Sequence, residues 1–425
     1  MLYQTAGFAL AKQSAKATAA TTNFIRGRMS SHGVNPVYDE IDPSGEHTGI
    51  HQRSTALQST PIRSGYMADI SLAFRLYPNL VGYALAGIGF GNTTATTVIL
   101  TIDATGGTFT ITVSAQTTSA IAFDAAIGAV ETAIELLSTV TAATVTGTAS
   151  NYTITVDSGV TSATMTANAG SLTGGGTTAT YTGWYYTHTF TLADAEAESW
   201  VSLMSAVGED SARYERKITD ARLSQLVFAA SRTGIDVTGT ASGLSEATSA
   251  GSETVVQETD SMLSQAQGAF TVTSSDITAV TLGTPRSHTL TIDNPLDDQE
   301  QNLHSFSRAT LSPTGKVISG TLEGLVFSEN IYKEFIYGAS GGTAPVIPIP
   351  EAQLVWSFTS PAFITGAIAN SFQATIPTAQ VMMDPFDVTA GGQIIYNARY
   401  RMIDNAASAP ITIVLINSTS SYAGS

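Results

Sequence analysis

The chain has 425 residues, with 18 basic and 34 acidic side chains, a formal charge of −16 and no cysteine. The missing thiols exclude disulfide scaffolds, thiolate metal sites and cysteine nucleophiles. So acidic a chain also lacks the cationic surface that grips nucleic-acid phosphates. Hydrophobic residues make up 43%, enough for a core, while charged residues are only 12%. Thr, Ser, Ala and Gly take the place of the missing charges, a mixture suited to β-sheet surfaces or to surfaces buried against other subunits.

Residues 1–64 are polar and irregular, with six basic side chains (Lys12, Lys16, Arg26, Arg28, Arg53, Arg63) against four acidic ones (Asp39, Glu40, Asp42, Glu46). So long a stretch without a clear element is uncommon inside a compact domain. It reads as an extended N-terminal arm with one short strand, ordered by lying on a neighbouring subunit. The first residues lack the basic-then-apolar order of a signal peptide, and no apolar run reaches the ~18–20 residues of a membrane helix. A cytoplasmic, self-assembling protein is the expectation.

From Met67 the chain alternates, with Ile70, Leu72, Phe74 and Leu76 on one strand face. Pro78 opens a short helix with Leu80, Ala84 and Leu85 at helical spacing, ended by Gly87 and Gly89. Residues 92–185 change character, being Thr-rich with no Lys or Arg. Stretches 98–102 and 108–113 read as two strands about a Gly106-Gly107 turn. Asp124 is placed to cap a helix carrying Ile127, Val130, Ile134 and Leu137. Short strands around 143–145, 152–156 and 163–167 complete a small inserted β module, and Gly174 to Gly176 form its exit. Further strands are expected at 188–192, 200–206, 218–230, 235–240, 269–273, 288–292, 353–358, 372–376, 393–402 and 411–416. Residues 244–268 read as an acidic linker, and 244–301 hold nine carboxylates against Arg286.

The chain matches itself. SGYMADISL at 64–72 aligns with TGKVISGTL at 314–322, an offset of 250 that runs a strand into a short helix in both places. Ser328 is placed to cap the second helix, with Ile331, Phe335 and Ile336 as its apolar face. ITDARL at 218–223 aligns with IPTAQV at 376–381, an offset of 158. The two offsets differ by 92, and the compositionally distinct segment 92–185 has 94 residues. A duplicated β-domain with an insertion in its first copy follows: 65–91 with 186–243 as the first, 92–185 inserted, and 269–425 as the second.

Catalytic motifs are missing. His47 and His51 have the spacing of two ligands on a helix, but Gly45 and Gly49 flank them, so isolated surface histidines are the simpler reading. Gly87, Gly89 and Gly91 lack the Lys-Ser/Thr of a phosphate loop and read as a helix end. No serine sits in a nucleophile elbow. Asp297-Asp298 and Asp39-Glu40 read as solvated faces. Arg26 and Arg28 are too sparse for nucleic-acid binding. Trp184 and Trp356 read as core or interface anchors. No catalytic residue, metal or cofactor is expected, and the function reads as geometry.

The order of these features resembles the tail tube (major tail) proteins of long-tailed, siphovirus-like bacteriophages, in a duplicated form. The stretches that carry the resemblance are 7–28, 65–87, HTFT at 188–191, YERKITDARLSQL at 214–226 with GIDVTG at 234–239, 288–294, 315–338, and PITIVLIN at 410–417. Together they make up about a quarter of the chain and are spread from Gly7 to Asn417. GTFTITV at 107–113, QTT at 116–118, IAFDA at 121–125 and VETAI at 130–134 are similar to a small module that recurs in phage virion proteins.

The resemblance implies a mainly β chain. It would have two tandem tail-tube-type β-barrel or sandwich domains, each with a short flanking helix, plus the inserted β-rich domain with one helix. It implies a virion structural protein, assembled in the host bacterial cytoplasm. Its rings would stack into the hollow tail tube, the conduit for genome ejection. The implied partners are the chain itself, a tape-measure protein, tail terminator and baseplate or tip proteins, and double-stranded DNA passing without specific binding through a negative lumen. Two barrels per chain imply homotrimeric, pseudo-hexameric rings with the inserted module pointing outward. Candidate inter-subunit contacts are Leu2, Tyr3, Phe8, Phe24, Arg26, Arg28 and Tyr38. Two alternatives stay open. One is a secreted or virion-surface adhesin or decoration protein. The other is a glycan-active enzyme, which needs two positioned carboxylates.

Overall fold

The computed structural model describes residues 5–22, 24–27, 29–41, 62–157, 160–192, 199–208, 214–248, 253–273, 280–281, 285–297, 310–326, 328–338, 341–345, 351–366, 368–384, 394–404 and 409–422. Among them the chain is mainly β, with 26 strands and three helices. Among the described residues no helix is long and apolar enough to cross a membrane.

The chain opens with β1 (Thr5–Lys12), β2 (Phe24–Arg26), β3 (Met29–Ile41), β4 (Ile62–Arg75) and α1 (Pro78–Gly87). Alternation along β4 buries Ala68, Ile70, Leu72 and Phe74 while Asp69 and Ser71 face solvent. Pro78 pre-sets the backbone of the first helical turn, and all ten residues of α1 are buried.

β5 (Phe90–Asp103), β6 (Gly106–Val113), β7 (Gln116–Thr117), β8 (Ile121–Ala122), α2 (Ile127–Glu135), β9 (Ala143–Thr148), β10 (Asn151–Val156), β11 (Met165–Thr173) and β12 (Thr178–Leu192) follow. The expected hairpin about Gly106-Gly107 is not one. β5 pairs with β10 and β12 in the large sheet, whereas β6 pairs with β7, β8 and β11 in a separate four-stranded sheet. The turn is a corner between sheets. Gly107 sits there at φ 86, and a Cβ on it would lie 2.2 Å from the Ser171 carbonyl. Asp124 does not cap α2 either. Ala126 holds the cap position and makes no side-chain bond, so Val130, Ile134 and Leu137 hold the helix by burial.

β13 (Val201–Gly208), β14 (Tyr214–Ser231), β15 (Gly234–Thr248), β16 (Val255–Gln257), β17 (Ser264–Thr273), β18 (Val280–Thr281), β19 (Ser287–Asp293), β20 (Leu296–Asp297), β21 (Ser312–Pro313) and β22 (Val317–Val326) come next. Then come α3 (Glu329–Tyr337), β23 (Glu351–Thr365), β24 (Ile368–Met383), β25 (Ile395–Met402) and β26 (Thr412–Asn417). Ser328 occupies the cap position of α3 without a side-chain bond.

Two groups of six antiparallel strands run in one order. The first is β3-β4-β15-β14-β13-β1. The second is β19-β22-β25-β24-β23-β17. In both, a helix follows the third strand in chain order. The registers repeat as well. His32 lies opposite Leu72 and His288 opposite Leu322. Ala221 lies opposite Val201 and Ala379 opposite Ala352, with a bulge beside each pair. The groups are stitched together by β19, which pairs with β14 on its other edge. β12 also crosses over, through β26, to β24.

The N-terminal region corrects its sequence reading. It contributes three strands to the chain's own sheet, not one strand on an arm, because β1 pairs with β13 and β3 with β4. Residues 42–61 lie outside the described part.

One hydrophobic core runs from Phe8 to Tyr422 and takes residues from both six-strand groups. A second core, residues 98–172, belongs to the inserted segment alone. Thr97 pairs with Tyr185 just below it. Replacing 98–184 by Asn-Gly at that pair therefore leaves a two-residue hairpin and removes nothing from the main core. The shortened chain is expected to fold with its midpoint within about 5 °C of the parent. Circular dichroism melting checks this, and an unfolded product would show that the main core depends on the insertion.

Candidate assembly surfaces

The sequence-nominated contacts separate into three kinds. Leu2, Tyr3 and Arg28 lie outside the described residues. Phe8 and Phe24 are 1% and 0% exposed within their own chain. Phe8 packs in the main core beside His32, ring centroids 5.6 Å apart. Phe24 packs with Ala9, Ala11, Ala20 and Met204. Both therefore serve the chain's own core and not a neighbour's. Arg26 is half-buried at the end of β2, where its carbonyl accepts from Gln257 Nε2 and from the Glu258 N–H.

The acidic segment is held within its own chain, by strand pairing to the N-terminal region and by a lysine of β14. β2 pairs in parallel with β16, and Lys217 Nζ lies 2.9 Å from Glu253. Glu258, 2% exposed, accepts from the Leu80 N–H at 3.2 Å and from Asn79 Nδ2 at 2.9 Å. It thus fills the start of α1, which has no cap of its own. Burial pushes its carboxyl up.

Of the described candidates, Tyr38 alone joins a cluster open to a partner. The Arg63 guanidinium stands 3.8 Å over its ring, and Tyr66 packs beside it at 5.6 Å. With Tyr214, Arg216 and Glu246 they line an open concavity of about 810 Å³ between β3, β4, β14 and β15. Glu246 accepts a forked pair of bonds from Arg216 and one from the Tyr66 hydroxyl. The Arg216 bonds hold its carboxyl below the usual range, and the carboxylate is thereby occupied as an anchor, not poised as a base. Arg216 also donates to the Val34 carbonyl at 3.2 Å. Tyr214 is 55% exposed. Exposed Tyr and Arg over a fixed ion pair is the composition of protein–protein hot spots.

Sequence reasoning missed Tyr66, Tyr214, Arg216 and Glu246 as a group. The signal was present in YERK at 214–217, but nothing local shows that β14 and β4 face one concavity. Among the described residues no three His, Asp or Glu side chains gather as a metal site. No protein-family model matches the chain, and no curated protein matches it.

Proposed function

We propose that the chain is a structural subunit whose rings stack into a hollow phage tail tube, the conduit for double-stranded DNA during ejection. The observation that carries this reading is the repeated six-strand order, laid side by side through β14 and β19. A chain that already places two equivalent units edge to edge needs only the same joint at its outer edges to continue. Three chains then close a ring of six units with true threefold symmetry. The inserted segment, with its own core, decorates only the first unit of each chain. The tape-measure, terminator and tip proteins are the partners of such a tube, and the virion tail is its place. Electron microscopy of the concentrated purified protein tests the reading. Long hollow tubes support it, and monodisperse particles at all concentrations contradict it.

A further inference from the structure

The internal joint specifies the external one. β19 is doubly paired over its whole length, with β22 on one edge and with Gln225–Ser231 of β14 on the other. β3 is the corresponding strand of the first group. His32 and His288 both face a matched leucine of the next strand, and both rings pack on a phenylalanine, Phe8 at 5.6 Å and Phe270 at 5.0 Å. Among the described residues, however, β3 pairs with β4 alone. The position equivalent to the receiving end of β14 is the end of β24. β13 stops covering β14 at Ala221, and β19 takes the edge from Gln225. β23 stops covering β24 at Gln380, and the 39% exposed Met382 follows.

We infer that the outer edge of β3 pairs antiparallel with the Met382–Met383 end of β24 in a second copy of this chain. Matching His32 to His288 carries Asp293 onto Val37, and the 158-residue offset carries its partner Gln225 onto Met383. Val37 therefore faces Met383, or Met382 if β24 lacks the bulge that β14 carries before Gln225. A strand edge left without a second strand over this length among the described residues is a template for another chain, with the Val34 carbonyl within the strand already taken by Arg216. Pro36 has no N–H, so the ladder forms with one donor fewer than its internal counterpart. Tyr38 of the same strand, with Arg63 of β4 over its ring, stands beside the joint. The inference deepens the tube reading and rests on it for the identity of the partner.

The absence of cysteine makes the test direct. Val37→Cys is combined with Met382→Cys in one variant and with Met383→Cys in another, in the full chain. Each is oxidised under assembling conditions and run on a non-reducing gel. Directly opposed strand residues fall within disulfide reach. One of the two variants is expected to give covalent dimers and a ladder ending at a closed trimer. Gln225→Cys with Asp293→Cys is the internal control and closes within one chain without a change in mass. A disulfide formed inside one chain in both test variants overturns the inference, because the chain's own strand then covers β3. Tubes that form without any cross-link overturn the joint while leaving the tube reading standing. Absence of assembly in the unsubstituted protein overturns both.

Discussion

Replacing Phe228 or Phe372 by alanine is expected to lower the free energy of unfolding by about 3–5 kcal/mol each, the usual cost of emptying a buried phenylalanine site. Both side chains are fully enclosed. Their ring centroids are 5.4 Å apart, and they sit on β14 and β24, one in each six-strand group. Trp356 and Phe358 extend the stack on the second side. The pair thus bridges two units that the sequence suggested as tandem domains. The double variant is expected to fall short of the summed losses by ~0.5–1.5 kcal/mol, the coupling of an aromatic pair. One cooperative denaturant transition should move as a whole. Two separate transitions, with only one displaced by each substitution, would contradict a shared core.

His288→Phe is expected to make the protein less sensitive to acid. His288 is buried between Phe270, Trp356 and Tyr400, and burial lowers its pKa to about 3. His188, enclosed by Tyr422 and bonded to the Thr419 carbonyl, is lowered by burial to about 4. Unfolded histidines titrate near 6.5, so below that pH the unfolded chain binds protons that the folded chain refuses. The stability these groups contribute is therefore complete above about pH 6.5 and is lost as pH falls toward the folded values. Burial raises Glu258 and Asp260. Those groups hold protons in the folded state that the unfolded state releases, so acidification acts on them in the opposite sense. The phenylalanine variant separates the terms. The 2.9 Å bond between His288 Nε2 and the Tyr400 hydroxyl is lost at every pH, while Tyr400 keeps its bond to the Thr289 carbonyl and His288 Nδ1 has no partner to lose. Between pH 7 and pH 5 the variant should gain about 2 kcal/mol relative to the parent, read from urea midpoints. Parallel curves would show that His288 is not responsible.

The β class and the strand-then-helix repeat were legible because they rest on local alternation and helical spacing. α1 and α3 begin at Pro78 and Glu329, one residue from the spacing implied by the 250-residue offset. β1 and β3 were not legible. TAGFALAK and MSSHGVNPVYDEI carry small or polar residues where an alternating apolar face would announce a strand, and tertiary pairing decides them. Phe8 and Phe24 looked like anchors for a neighbour because a phenylalanine in polar surroundings has no visible partner in sequence. The partners are β13 and the Ala-rich turn of the same chain. The cluster of Tyr38, Arg63, Tyr66, Arg216 and Glu246 joins residues up to about two hundred positions apart, and no periodicity links them. The joint between β14 and β19 is likewise a matter of register, which the sequence holds only as a repeat of spacings.

Helical reconstruction of the assembled protein tests the central claim most directly. A ring of three chains is predicted, with six sheet units around the inner wall, three outward protrusions and β3 of each chain against β24 of the next. A ring of six chains with six protrusions, or a wall in which β3 meets no neighbour, would contradict it.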